Sequence, residues 1–222
     1  MATAVEPVES ELQAAPDHIV LYDVSWELYE KLLEEVGEQR VFITYSDGSL
    51  EIMSPLPAHE RWKTILGGCI EILSLELNIP MARLGSTTFR RKKLAKGLEP
   101  DECYYIQHER QIRGKDRIDL RRDPPPDLVV EIEITRRAVA REPIYAALGV
   151  PELWRFDGLE LTASMLGSDG RYQPVERSVA FPFLRMSDLE RFLKMLPATD
   201  ETSMVRAFRD WVKAELSDAS RE

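Results

Sequence analysis

The segment from Pro124 to Thr135 constrains the fold of this chain more than any other. Three consecutive prolines, Pro124 to Pro126, precede it, and proline cannot contribute a backbone donor to the interior of a sheet. The residues that follow alternate in polarity, and alternate residues of a strand share a face. One face holds Leu128, Val130, Ile132 and Ile134, and the other holds Asp127, Val129, Glu131, Glu133 and Thr135. The pattern predicts a strand whose apolar face packs against a core helix and whose other face is acidic.

The remaining hydrophobic pattern predicts a mixed α/β fold with a single central sheet flanked by helices. Helical spacing covers Ser25–Val36 and His59–Leu77, and Asp47-Gly48 and Asp157-Gly158 mark hairpins. Further strands are predicted at Met81–Phe89 and Asp101–Ile106, and a short helix at Arg141–Leu148. We predict an acidic, disordered tail over 1–17, one domain over 18–190, and a helical C-terminal extension over 191–222.

Composition excludes several classes of protein. The 222 residues include 44% hydrophobic side chains, which is ordinary for a globular protein and leaves room for a buried core. Two cysteines, Cys69 and Cys103, are too few for a disulfide framework or a four-thiolate zinc site. The sequence has no uncharged apolar stretch of the length that spans a membrane, and no basic and apolar leader. We therefore expect a cytoplasmic protein without a membrane partner.

The acidic strand face has to contact either bulk water or a cation, because carboxylates two apart on a strand lie only about 6.6 Å from each other. Asp127 and Glu131 are about 13 Å apart by strand rise, which is too far for them to share one ion. Asp101 begins the preceding predicted strand, and neighbouring strands in sequence usually pair. Asp101 with Glu131 would therefore suffice for Mg²⁺, which takes one or two carboxylates and several waters. A solvated acidic face on an edge strand remains the alternative.

Charge is distributed unevenly along the chain. The net charge is −10, which by itself argues against a dedicated nucleic-acid coat protein. Between Arg83 and Arg122, however, 12 Lys and Arg face 6 Asp and Glu. This region contains the run Arg90, Arg91, Lys92 and Lys93. The run predicts either a solvated loop or one wall of a groove that binds phosphates.

Several short motifs resemble those of one family in their order and spacing. They are Asp47–Pro55, His59 at the start of the long helix, Glu99-Pro100-Asp101, Pro126–Thr135, and Tyr145–Trp154. Together they resemble the Uma2 family of bacterial endonucleases, within the PD-(D/E)XK or restriction-endonuclease-like superfamily. The resemblance runs from about Leu21 to Leu189, and it implies a restriction-endonuclease-like fold.

The resemblance also implies a set of site residues. Asp101 and Glu131 match the two metal ligands, which would hold Mg²⁺ or Mn²⁺. Glu133 stands where the superfamily normally has a catalytic lysine, and Arg141 stands where Uma2-like sequences relocate that lysine. Arginine can bind a phosphate through two hydrogen bonds but does not act as a base at neutral pH. Glu51, His59 and Tyr145 also match family positions and are expected to line the site.

The function implied by the resemblance is metal-dependent hydrolysis of phosphodiester bonds in DNA. Arg141 would contact the phosphate, and Arg90 to Lys93 would bind the DNA backbone weakly and without base readout. Two alternatives stay open: a nuclease-fold binding or assembly module without activity, and a hydrolase of small phosphoesters. The oligomeric state is open as well, a homodimer included. We also expect Arg141 to be exposed, so that its substitution leaves folding nearly unchanged.

Overall fold

The computed structural model describes residues 18–37, 39, 41–134 and 137–217. The predicted tail over 1–17 lies outside the described residues. In the part of the chain that is described, no helix has the length and apolar character needed to cross a bilayer.

The first sheet has five antiparallel strands and carries helix α1. Its order is β1 (His18–Leu21), β3 (Ser49–Met53), β2 (Phe42–Ser46), β6 (Lys96–Leu98) and β5 (Phe89–Arg91). The β2–β3 hairpin turns at Asp47 and Gly48, both with positive φ, as the sequence predicts. Helix α1 (Trp26–Val36) begins at Ser25, whose hydroxyl accepts the Leu28 N–H at 3.1 Å. Tyr29 of α1 stacks on Tyr45 of β2, which fixes the helix on the sheet.

The second sheet has six strands and is mixed. Its order is β11 (Tyr172–Val175), β10 (Leu161–Leu166), β9 (Glu152–Phe156), β8 (Leu128–Ile132), β7 (Glu102–Tyr105) and β4 (Ala82–Arg83). Strands β8 and β9 are parallel, and helix α4 (Glu142–Leu148) connects them. The other neighbouring pairs are antiparallel. A short helix, α3 (Glu109–Ile112), follows β7.

Three further helices cover one face of this second sheet. Helix α2 (Pro57–Glu76) presents the predicted apolar stripe, and Leu66, Ile70 and Leu73 are fully buried. Helices α5 (Met186–Leu193) and α6 (Glu201–Trp211) follow, and a π-helical turn (Val212–Leu216) extends α6. Met204, Phe208, Val212 and Leu216 pack in the same core as the α2 stripe. The helical C-terminal segment therefore contributes to the main core.

The predicted α/β class with flanking helices is confirmed, but the strands form two sheets and not one. The predicted strand Met81–Phe89 is divided: Ala82–Arg83 pairs with β7 in the second sheet, and Phe89–Arg91 pairs with β6 in the first. The chain crosses between the sheets in this segment. Strand β6 gives the hairpin β2–β3 a partner that the sequence pattern did not indicate, since Lys96-Gly97-Leu98 is short and lacks alternation.

Candidate functional site

Asp101 and Glu131 lie side by side near the junction of the two sheets. Asp101 immediately precedes β7, and Glu131 is on β8, which pairs with β7 in a register that places Glu102 opposite Val130. Both carboxylates are completely buried. The expectation that a second carboxylate reaches Glu131 from the preceding strand therefore matches the geometry. The acidic strand face is not a solvated edge.

Asp101 is held by donors from three directions. His59 Nε2, at the start of α2, lies 3.0 Å from Oδ2, and the Ile132 N–H donates to the same oxygen at 2.7 Å. Nη2 of Arg137 lies 3.2 Å from each carboxylate oxygen. The expected site-lining position of His59 thus corresponds to direct contact with Asp101.

Glu131 is held by helix α4. Arg141, at the N-terminal end of α4, donates from Nη1 to Glu131 Oε2, and the Tyr145 hydroxyl donates to Oε1. Arg141 also donates from Nη2 to the backbone carbonyl of Glu99, two residues before Asp101. Because α4 directly connects β8 to β9, its first turn lies over the carboxylates, and Arg141 links both strands that carry them.

Arg137 is the residue of this cluster that sequence reasoning missed. Its Nη2 lies 3.1 Å from Glu131 Oε2 as well as 3.2 Å from Asp101, so one guanidinium bridges both carboxylates. The Arg137 side chain is nine-tenths buried. A weak signal was present in the sequence, because Arg137 follows the acidic strand and precedes Arg141 by four residues. Nothing in that spacing showed that the turn folds back over the strand.

Glu51 fixes the backbone that follows Arg137, and this contact places the Arg137 side chain beside the two carboxylates. This buried side chain on β3 of the first sheet accepts the N–H groups of Ala138 at 2.8 Å and Val139 at 3.3 Å. Glu51 therefore fixes the backbone directly after Arg137 and does not touch Asp101 or Glu131 through any described hydrogen bond. Its role is to position the bridging arginine, and it does so from the opposite sheet.

The pKa values of Asp101 and Glu131 shift in opposite directions, although both carboxylates lie near the same two guanidinium groups. Burial acts to raise the pKa of Asp101, but the His59 hydrogen bond and the charges of Arg137 and Arg141 bring that pKa below its ordinary value. For Glu131 burial dominates and raises the pKa, and the neighbouring charge of Asp101 adds to it. Two guanidinium groups thus neutralise two buried carboxylates, which is the arrangement that burial of such charges requires.

Two expectations about site residues need correction. Arg141 is only 5% exposed and makes buried ion pairs, so the prediction of an exposed arginine is wrong, and the reason for expecting little effect on folding no longer holds. Asp127, on the predicted acidic face, turns away from the cluster and accepts the N–H groups of Ile106 and His108. Glu133 follows β8 as an exposed residue and makes no described side-chain contact with Asp101 or Glu131.

Two grooves flank the cluster. The larger, about 1300 Å³, runs between α1 and the segment bearing Arg90–Lys93, and it reaches Glu99. The smaller, about 750 Å³, lies on the α4 side and is lined by Glu133, Arg137 and Arg141 among others. The sequence-predicted basic run therefore lines the larger groove, which contains Glu99, two residues before Asp101, whereas the residues of the cluster itself line only the smaller groove.

The two carboxylates supply the oxygen ligands that a hard divalent cation needs, but the guanidinium of Arg137 already contacts both of them. Oxygen ligands are those that Mg²⁺ and Mn²⁺ prefer, and Asp101 and Glu131 already share one cationic group, the guanidinium of Arg137. A metal ion bound by both carboxylates would take the place of Arg137 Nη2. Among the described residues no group of three or more His, Cys, Asp or Glu side chains has a metal-binding arrangement.

Comparison with known proteins identifies the family of this chain and distant relatives among solved structures. Residues 26–199 match the Uma2 family model, described as "Putative restriction endonuclease". A crystal structure described as a "putative nuclease belonging to DUF820" from Anabaena variabilis is 14% identical, with a TM-score of 0.45 over 68% of this chain and 90% of that one. No curated protein matches the chain.

Proposed function

Because the chain belongs to the Uma2 family, whose model is described as "Putative restriction endonuclease", we propose that it hydrolyses phosphodiester bonds in DNA with a divalent metal ion, Mg²⁺ or Mn²⁺. The observation that carries the proposal is the buried pair Asp101 and Glu131, which are side by side and already share a cationic group. Two adjacent carboxylates are sufficient ligands for such an ion when water and substrate phosphate supply the rest. The proposed setting is the cytoplasm, with weak binding to DNA.

In this proposal Asp101 and Glu131 are the metal ligands. The ion would supply an activated water molecule and neutralise charge on the scissile phosphate. His59 orients Asp101, and Tyr145 orients Glu131. These contacts keep each carboxylate in one orientation, which spares the site a rearrangement during the reaction.

The two arginines have different roles in the proposal. Arg141 donates to Glu131 and to the Glu99 carbonyl, so we assign it to positioning the carboxylates and not to the phosphate. Both arginines line the groove on the α4 side, but Arg137 contacts the carboxylates through Nη2 alone, whereas both Nη1 and Nη2 of Arg141 already donate. Arg137 is therefore the better placed of the two to pair with a phosphate oxygen once substrate is present. Glu133, exposed in the same groove, would contact bound water and not the cluster itself.

A second candidate function, a nuclease-fold module without activity, is favoured by the Arg137 bridge. If that guanidinium remains between the carboxylates, it excludes the metal ion by like charge. Substituting Arg137 with Gln then distinguishes the two candidates, because it removes the competing charge while retaining a polar side chain.

The proposal is tested by nicking of supercoiled plasmid in the presence of Mn²⁺ and after chelation. Asp101→Asn and Glu131→Gln should each lower the rate by at least about 10²-fold, since each neutral side chain loses an interaction of several kcal/mol with the metal. Both variants keep the volume of the original side chain, but each leaves buried guanidinium groups with one charged partner fewer, so circular dichroism has to show that each variant is folded. Asp210→Asn, on the exposed side of α6, is the matched control and should leave the rate unchanged.

Three outcomes separate the candidates. If the wild-type protein nicks the plasmid and neither carboxylate variant does, the result supports the endonuclease. An inert wild-type protein, together with Mn²⁺ binding that rises about tenfold or more in Arg137→Gln by calorimetry, supports the inactive module. Nicking that persists in both carboxylate variants contradicts the assignment of the site.

A further inference from the structure

The larger groove has one strongly basic side. We call this side the basic wall; it consists of Arg90–Lys93 and Lys115–Arg121. The lining residues of the basic wall include seven Lys or Arg and only two carboxylates, Asp116 and Asp119. Phosphate backbones bind to such clusters of cations.

The two segments of the basic wall are joined into one surface. Arg91 of β5 donates from Nη2 to the backbone carbonyl of Leu120. Within the second segment, Arg121 pairs with Asp119 at 2.6 Å, and Lys115 pairs with Asp123 just beyond the wall. These contacts fix the loop that follows α3 against β5.

Three cations of the basic wall have no such partner. The side chains of Arg90, Lys93 and Arg117 are exposed and form no hydrogen bond or ion pair with another described residue. They come from both segments of the wall, two from the β5 side and one from the loop. A ligand with several negative charges can reach all three without breaking an existing ion pair.

The opposite wall is one face of α1, and it is acidic. Trp26, Glu30, Leu33, Glu34 and Gly37 line the groove with helical spacing. Glu30 and Glu34 thus face the basic wall across the groove. Lys92 pairs with Glu27 at 3.1 Å and connects the two walls.

Between the walls the groove is largely apolar. The partly exposed side chains of Leu84 and Ile118 line it, and Ile43 and Phe89 are buried beneath them. Trp26 also lines it, and its indole N–H is buried and has no partner among the described residues. Apolar surface next to a cationic rim suits the faces of unpaired bases, and the unpartnered indole N–H of Trp26 adds a donor at that surface.

We propose that this groove binds a single nucleic-acid strand, with its phosphates on the basic wall and its bases towards α1. The acidic α1 face repels a second phosphate backbone, so the groove selects one strand over a duplex. The inference rests on the proposed endonuclease function for its substrate class. It adds the form of the substrate, and it assigns Arg117, Trp26, Glu30 and Glu34, which the sequence did not indicate. The groove reaches Glu99, two residues before Asp101, and the backbone carbonyl of Glu99 accepts a hydrogen bond from Arg141, so a bound strand would pass close to the cluster.

Fluorescence anisotropy with a short labelled oligonucleotide, either single-stranded or annealed to its complement, tests the inference. Chelator is present, so that no cleavage occurs. The single strand should bind at least about tenfold more tightly than the duplex. Combined substitution of Arg90, Lys93 and Arg117 with Gln should reduce the slope of log affinity against log salt by about 2, or about 0.7 for each lost phosphate contact.

Two matched variants complete the test. Arg206→Gln removes an exposed cation of α6, outside the groove, and should leave the slope unchanged. Glu30→Gln with Glu34→Gln should strengthen duplex binding more than single-strand binding, because it removes the repulsion of the second backbone. Trp26 is left unchanged, since it also packs against Tyr29 and Tyr45.

Duplex affinity equal to or above that of the single strand overturns the inference, and so does an unchanged salt slope in the triple variant. The plasmid assay measures metal-dependent nicking and therefore tests the proposed endonuclease function independently of oligonucleotide binding. Metal-dependent nicking without single-strand preference leaves the endonuclease in place and removes only the groove assignment. Absence of binding to either oligonucleotide overturns the groove assignment whatever the plasmid assay shows.

Discussion

Arg141 and Arg155 are both arginines paired with glutamates near α4, but they differ in burial. Arg141 is 5% exposed and pairs with Glu131, which is buried too. Arg155 is about one-third exposed and pairs with Glu142 at 3.4 Å. Burial raises the energetic consequence of losing one partner, because the remaining charge cannot recover its hydration.

We therefore expect Arg141→Ala to lower the free energy of unfolding by about 3–5 kcal/mol, the cost of breaking a buried ion pair. Arg155→Ala should cost less than about 1 kcal/mol, as exposed pairs do. Urea denaturation monitored by tryptophan fluorescence measures both. A loss below about 1 kcal/mol in Arg141→Ala would show that Glu131 becomes neutral or finds another partner.

Strand β6 is fixed by a close approach to α1. A Cβ atom on Gly97 would lie 2.8 Å from Tyr29 Cζ, and the Tyr29 ring is itself stacked on Tyr45. The ring cannot move aside without breaking that stack. Glycine at this position thus permits β6 to pair with β2 beneath the helix.

Gly97→Ala should destabilise the protein by about 1–3 kcal/mol, because it forces overpacking at this contact. Gly68→Ala is the control, since a Cβ atom there meets no atom within 4 Å on helix α2. It should stabilise the protein by about 0.5–1 kcal/mol through helix propensity. Thermal unfolding of the two variants should shift in opposite directions, and a shift in the same direction would contradict the steric argument.

At the scale of the whole molecule, the C-terminal helices complete the core that α2 begins. Met204, Phe208 and Val212 are fully buried against it. Each such side chain contributes about 1.5–3 kcal/mol through burial. Together they approach the 5–15 kcal/mol that a domain of this kind has in total.

Removing residues 197–222 should therefore abolish cooperative unfolding and expose the α2 stripe. Loss of near-ultraviolet circular dichroism in the truncated chain is the expected result. A truncated chain that still unfolds in one sharp transition would instead support a C-terminal segment that is an appendage.

How far the sequence predicts this structure depends on the range of the contacts involved. Local patterns identified α1, α2, the β2–β3 hairpin and β8, since hydrophobic spacing and turn residues lie within each element. Sequence order also indicated that Asp101 would reach Glu131. The contact of Arg137 with both carboxylates could not be predicted from the sequence, because the backbone after Arg137 is fixed by Glu51, which is 87 residues away from Ala138 in the chain. The prediction of a single sheet was wrong because Ala82 and Phe89, although close in sequence, pair with different strands: Ala82 lies opposite Tyr105 of β7 and Phe89 opposite Leu98 of β6.

The Glu51 contact also bears on when activity can arise during synthesis. The cluster needs His59, Asp101, Glu131 and the turn after Arg137 together, with sequence separations of 31 to 87 residues between bonded partners. Contacts of such range form late in folding, after local structure. A nascent chain that has emerged only as far as β8 has both carboxylates but neither arginine. A ribosome-bound fragment that ends at β8 therefore lacks the assembled centre, and the activity proposed above would require synthesis to continue past α4.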